Sequence, residues 1–216
     1  MPRNKESARI QTLLERERRL WNDGVAMVAG VDEAGRGPLA GPVVAAAVIF
    51  PHDIALAGID DSKKLSATAR DDLFDAIYAN AIAIGVGVID CEAIDRVNIL
   101  NATFGAMHSA IQSLSVTPRH LLIDGNKFFH EFIPFTTIVD GDARCYSIAA
   151  ASIIAKVTRD RLMCAFAAEY PEYGFEQHKG YGTKMHYAAL RTYGLCPIHR
   201  RSFIHLETDL VPNEHA

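Results

Sequence analysis

The sequence predicts an α/β fold, a five-stranded mixed sheet flanked by helices with a helical C-terminal portion. Three observations carry that reading. Five short apolar runs, at residues 25–31, 43–50, 81–89, 120–123 and 136–139, are bounded by Gly, Pro or Asp and read as buried strands. Helical periodicity alternates with the later runs, the pattern of strands connected through helices. The chain has 216 residues, 49% hydrophobic and 22% charged, enough for one sizeable core in ordinary globular proportions. Those proportions exclude a disordered, collagen-like or disulfide-stapled chain.

Taken in order, residues 7–21 form a leading helix with Ile10, Leu13, Leu14 and Leu20 apolar, stopped by Asp23-Gly24. The first two strands flank a Gly/Pro-punctuated turn at 32–42 and read as a hairpin-like pair. Ser66 is the N-cap of a helix running to Asn80, with Leu73, Phe74 and Ile77 facing inward. In the third strand Ile82, Ile84, Val86 and Val88 alternate with Ala and Gly, and a helix over 97–114 follows. The fourth and fifth strands each end at an acid, Asp124 and Asp140. Residues 147–170 form a long helix, with Ser152, Lys156 and Arg159 on one stripe and Ile148, Ala151 and Ala155 on another face. A helix at 183–193 and an irregular basic tail complete the chain, which reads as one domain: leading helix 7–21, core 25–170, basic helical segment 171–205.

The formal charge of −4 argues against a nucleic-acid partner, yet it hides an asymmetry. Residues 156–201 hold eight Lys and Arg against four acids, a local +4 that leaves −8 for the rest. An acidic body with a basic C-terminal third could hold metal ions at one place and phosphates at another, or the basic segment could be a solvated surface. Cys91, Cys145, Cys164 and Cys196 form no C-x-x-C pair, so reduced thiols in a cytoplasmic protein are expected. Neither an apolar run long enough for a bilayer nor a secretory leader is found, and no membrane association is expected.

Asp32 and Glu33 close the first strand, Asp124 closes the fourth, and Asp142 follows the fifth. Strand ends on one sheet edge bring such carboxylates together although they lie far apart in sequence. Grouped carboxylates repel unless a cation joins them, and an all-oxygen set suits Mg²⁺ or Mn²⁺ better than zinc. For Asp124, in Asp-Gly-Asn, a plain turn is an equal reading; the adjacent pair after Val28-Ala-Gly-Val31 is harder to explain without a balancing charge. Asp60-Asp61 and Asp71-Asp72 sit in polar contexts and read as surface. Beside the first pair runs Gly35-Arg36-Gly37-Pro38-Leu39-Ala40-Gly41-Pro42, whose glycines allow backbone amides to approach a ligand. It lacks the Gly-Lys-Ser/Thr ending of a P-loop and reads equally as a turn between strands. The nine histidines show no metalloenzyme spacing and read as structural.

Combined in order, these residues resemble the bacterial ribonuclease HII family. The segment Val28-Ala-Gly-Val-Asp-Glu-Ala-Gly-Arg-Gly-Pro-Leu-Ala-Gly-Pro-Val43 is similar to its signature around the first two catalytic acids. Asp61-Ser-Lys-Lys-Leu-Ser66, Asn98-Ile-Leu-Asn-Ala102, Leu122-Ile-Asp-Gly-Asn126 and Gly141-Asp142 follow in the family's order. So do the segment from Ser147 to Asp160, His178-Lys-Gly-Tyr-Gly-Thr183 and His199-Arg-Arg-Ser-Phe203. The resemblance implies a ribonuclease H-like fold. It also implies endonucleolytic hydrolysis of the RNA strand of RNA–DNA hybrids, and nicking of duplex DNA 5′ of embedded ribonucleotides. Two divalent ions, Mn²⁺ or Mg²⁺, would leave 3′-hydroxyl and 5′-phosphate ends. Asp32, Glu33, Asp124 and Asp142 become the catalytic metal-binding carboxylates. Gly35, Arg36 and Gly37 become the loop that reads the ribose 2′-hydroxyl, and Tyr181 the aromatic that packs on the deoxy side of the junction. Lys63, Lys64, Lys156, Lys179, Lys184 and Arg200 are candidates for phosphate contacts, with a solvated surface role the alternative for each. A monomer without an obligatory protein partner is expected. A non-catalytic nucleic-acid-binding module and a small-molecule phosphatase using the same acids are the rival readings.

Overall fold

In the computed structural model, residues 2–60, 62 and 65–204 are described. The five predicted strands are β1 (Val28–Ala34), β2 (Val43–Ile49), β3 (Ala83–Ile89), β4 (His120–Asp124) and β5 (Phe135–Ile138). They form one sheet in the order β3-β2-β1-β4-β5. β1 pairs antiparallel with β2, and β2 with β3, whereas β1–β4 and β4–β5 are parallel. The sheet is therefore mixed, as the alternation of hairpin-like and helix-connected strands predicts.

β1 begins and ends three residues later than its apolar run, because its pairing with β2 continues through Asp32↔Ala46, Glu33↔Ala45 and Ala34↔Val44. The two acids thus lie within the hydrogen-bonded ladder rather than in the following turn. The expected leading helix is two helices, α1 (Pro2–Leu13) and α2 (Glu15–Asn22), broken at Leu14. The break lets Ile10, Leu13 and Leu14 enter the core while Glu17 is buried elsewhere. Ser66 caps α3 (Ala67–Asn80) as predicted, accepting from the Ala69 amide at 3.2 Å. The helix expected over 97–114 is α4 (Cys91–Val97) and α5 (Ile99–Gln112), separated by Asn98 at φ 68°. The side chain of Asn98 caps α5 by accepting from the Asn101 amide at 3.1 Å.

One face of the sheet packs against α1, α3 and α6 (Tyr146–Glu169), the other against α4 and α5. The start of α6 lies so close to β1 that a Cβ on Gly30 would come within 2.2 Å of the Ser147 backbone carbon. From α2, the buried Glu17 Oε1 accepts from the Ser147 amide at 2.8 Å and its hydroxyl at 2.7 Å, and so caps α6 from outside. A carboxylate at a helix N-terminus opposes the positive end of the helix dipole, and here it locks the leading helix to α6. The C-terminal portion, with α7 (Phe175–His178) and α8 (Lys184–Tyr193), packs a separate apolar cluster with the 39–40 segment, Met163 and Ala167. No helix among the described residues is long and apolar enough to cross a membrane.

Candidate active site

Parallel pairing of β1 and β4 puts Val31 beside Ile123, so the next residues along, Asp32 and Asp124, emerge side by side. Together with Glu33 they offer carboxylate oxygens that all lie within 4.8 Å of one another. Asp32 is 4% exposed and points toward α6, where the Ser152 hydroxyl hydrogen-bonds it. Its Oδ1 also accepts from the Glu33 amide at 2.7 Å. Asp124 Oδ1 accepts from the Gly141 amide at 2.7 Å, which ties the end of β4 to the turn after β5.

Burial, followed by the negative charges of Glu33 and Asp124, raises the Asp32 carboxyl well above the usual carboxylate range. A divalent cation among the three would reverse the repulsion and replace lost hydration. The oxygen-only donor set fits a hard ion such as Mg²⁺ or Mn²⁺. Asp142 is also buried, in the turn Gly141–Ala143, but it is not one of the three mutually close carboxylates.

Asp32, Glu33 and Asp124 floor a cavity of about 240 Å³ lined also by Gly35, Arg36, Gly37, Lys156 and Tyr181. Arg36 Nη1 lies 3.4 Å from Glu33 Oε1, its side chain otherwise open to solvent. Tyr181 is 45% exposed, its ring edge 3.8 Å from where a Cβ on Gly37 would sit. Lys156 reaches the wall from α6, four residues beyond Ser152, and pairs with Asp160 at 2.7 Å. Lys179 faces elsewhere: it lines a neighbouring pocket with Arg70 and Arg161, and its Nζ contacts Cys164 Sγ at 3.3 Å. Lys63 and Lys64 lie outside the described residues.

Arg200 is not at the surface. It is fully buried, and its guanidinium donates to the carbonyls of Gly41 (2.9 Å), Arg36 (2.9 Å) and Gly35 (2.6 Å). The phosphate contact expected of it is therefore corrected to an internal role. Arg159, 1% exposed, donates in the same way to Pro42 (2.9 Å), Lys179 (3.0 Å) and Ala40 (3.1 Å). Sequence reading places Arg159 on the polar stripe of α6 without a use for it, and leaves out Ser62, whose buried hydroxyl meets Ser152 Oγ at 2.8 Å. The signal available was an arginine beyond Ser152 and Lys156 on the polar stripe of a helix whose other face is apolar.

Three histidines brace Tyr181 from below. His178 Nδ1 accepts from the Gly180 amide, and the amide of Cys196 donates to His199 Nδ1. His199 Nε2 must then be the donor to His186 Nε2 at 2.9 Å, leaving His186 Nδ1 to donate to the Tyr181 carbonyl at 3.0 Å. Every ring is satisfied as neutral imidazole. Burial accordingly pulls His186 and His199 down to about 4.

Comparison with known proteins agrees with this geometry. The profile described as Ribonuclease HII matches residues 29–206. The Ribonuclease HII of Geotalea daltonii is 56% identical over 192 residues, covering 89% of each chain. That of Bacillus cereus is 52% identical over 199 residues, covering 92% of this chain and 77% of the relative. Among solved structures, the ribonuclease H2 from Pyrococcus horikoshii superposes with a TM-score of 0.69 at 28% identity, covering 85% of this chain and 97% of that one. A clustered trio of carboxylates at adjacent strand ends, a glycine loop beside it and a match across nearly the whole chain converge: the chain belongs to the ribonuclease HII family and is a hydrolytic ribonuclease of the ribonuclease H type.

Proposed function

We propose that the chain hydrolyses the RNA strand of RNA–DNA hybrids and nicks duplex DNA on the 5′ side of an embedded ribonucleotide. The products would be 3′-hydroxyl and 5′-phosphate ends. The observation that carries this reading is one cavity holding three close carboxylates, the glycine loop and Tyr181. Asp32, Glu33 and Asp124 would hold two divalent ions, Mn²⁺ or Mg²⁺, with Asp142 joining them at the neighbouring turn. When bound, such ions activate water and neutralise charge developing on the leaving 3′-oxygen.

The chain's own residues supply recognition and placement. The 2′-hydroxyl is the group that separates RNA from DNA. Amides of the Gly35–Gly37 loop can reach it because Gly35 and Gly37, on either side of Arg36, carry no side chain to crowd a sugar. Tyr181, braced by its histidines, would stack against the sugar of the deoxynucleotide that follows. Lys156, on the cavity wall, would meet a backbone phosphate.

A labelled DNA duplex with one embedded ribonucleotide, incubated with Mn²⁺, Mg²⁺ or EDTA, tests the reading. A metal-dependent nick 5′ to the ribonucleotide is expected. An intact strand under every condition would exclude the activity, and salt-sensitive binding without product would point to a binding module instead.

A further inference from the structure

Arg159 and Arg200 each place a guanidinium in the interior, and among the described residues neither forms an ion pair. All six of their described hydrogen bonds end on backbone carbonyls, five of them between Gly35 and Pro42 and the sixth on Lys179. Burying a cation without an ion pair is costly unless hydrogen bonds compensate, and here six carbonyls do so. Burial, with the like charge of Arg159 adding to it, pulls the Arg200 guanidinium down to about 9. The loop is built around these side chains. A Cβ on Gly35, which sits at φ +94°, would fall 2.0 Å from Arg159 Nε.

The consequence for the cavity follows from peptide geometry. In a trans peptide the N–H points opposite to the C=O, and the described chain holds no cis peptide. Arg200 draws the Gly35 and Arg36 carbonyls inward, so the partner N–H groups of those two peptides, on Arg36 and Gly37, turn outward. Among the described residues neither amide meets a protein acceptor. The cation under the loop also aligns both peptide dipoles with their positive ends toward the cavity. Arg159 extends the same hold to Lys179, two residues before Tyr181, and the Leu39 amide donates to Gly180 at 2.8 Å.

We propose that Arg159 and Arg200 are positioning residues for ribonucleotide recognition: they tie the glycine loop and the Tyr181 segment into one rigid unit that presents the Arg36 and Gly37 amides to the sugar. This rests on the activity proposed above. A planar fork spreads its donors over three nitrogens in fixed directions and can hold three carbonyls set apart along the loop, whereas a lysine ammonium gathers its three donors at one point on a flexible stem.

The test compares Arg200→Lys, Arg159→Lys and Arg200→Ala with the wild-type chain. Arg200→Lys is expected to lower kcat/KM on the single-ribonucleotide duplex roughly 10–100-fold, the scale of an ångström-sized misplacement. Mn²⁺ affinity by calorimetry should be unchanged, and amide exchange should accelerate across residues 35–42 but not in β1. Arg159→Lys, which leaves the Arg200 fork in place, should lose less, and added guanidinium ion should restore part of the rate to Arg200→Ala. Unchanged kcat/KM and loop exchange in Arg200→Lys would overturn the proposal, as would activity and Mn²⁺ affinity falling together. A wild-type chain that leaves the duplex intact would instead sink the activity itself, while loop exchange still reports on the positioning.

Discussion

Asp32, Glu33 and Asp124 stand on neighbouring strands, where the β1–β2 and β1–β4 ladders hold their backbone from both sides. Gly35, only two residues beyond Glu33, has left that ladder. Its loop is held by side chains that arrive from 117 to 165 residues away in sequence. The two halves of one cavity are therefore built differently. Carboxylates that repel one another need a frame that cannot relax, and a paired strand is such a frame. A loop that must bring bare backbone to a sugar has no ladder to lean on, so its carbonyls are captured from inside by donors. The charges differ in sign as well: three carboxylates cluster in the acid half, and the loop half is set over two buried guanidinium groups.

The largest way to break the acid half is to remove one ligand. Asp124→Asn or Asp32→Asn should cut cleavage about a thousandfold or more, a loss of several kcal/mol of charge stabilisation, while the chain stays folded and still binds duplex. Wild-type rates in Mg²⁺ for either variant would remove these residues from catalysis.

Acid should break the other half first. His186 and His199 titrate near 4 in the fold against an ordinary 6.5, so the unfolded chain takes up protons that the fold refuses. Their contribution is present above about pH 6.5 and is lost as pH falls toward 4, at most about 3 kcal/mol for either ring. Urea midpoints measured from pH 7 to 4 should fall accordingly, with exchange rising around Tyr181 before it rises in β1. A flat midpoint would contradict the neutral imidazole chain.

The acid half should respond to pH with the opposite sign. Asp32 sits above its unfolded value, so its stabilising protonated form is present at low pH and lost as pH rises through the raised pKa. Metal-free protein should weaken over that rise, and Mn²⁺ at a hundred times its Kd should stabilise it by about 2.7 kcal/mol. Asp32→Asn should flatten the pH slope and reduce the Mn²⁺ effect; thermal melts with and without EDTA measure both.

The smallest effect belongs to the cavity wall. Asp160→Ala, which frees Lys156 from its partly buried i,i+4 partner, should cost only about 0.3–0.5 kcal/mol of stability and leave the Mn²⁺ response intact. A loss of several kcal/mol would give that pair a structural role comparable to the arginine forks.

Much of the acid half was legible in the sequence. Val28-Ala-Gly-Val31 followed by two acids announces a buried strand ending in charge, and Leu121-Leu-Ile123 before Asp124 repeats the pattern. Where the reading slipped, a local choice met a tertiary one. β1 runs on through Ala34 because β2 supplies partners there, and α5 starts after Asn98 because that residue both adopts φ 68° and caps. The basic stretch from 156 to 201 was legible as charge and misleading as surface. Two of its eight cations are interior, and Lys156 and Arg161 are paired with Asp160 and Asp71.

Hydrophobic periodicity and turn residues, which act over a few neighbours, were enough for the sequence alone to determine the strand content, the mixed sheet, the acidic residues at the strand ends and the glycine loop. Only the tertiary structure decided that Arg159 and Arg200 lie beneath that loop, that three histidines brace Tyr181, and that Lys179 faces away from the acids. The physical reason is the range of the forces involved. A strand or a cap is chosen by residues within a few positions, whereas a buried cation finds its carbonyls only after segments more than a hundred residues apart have packed together.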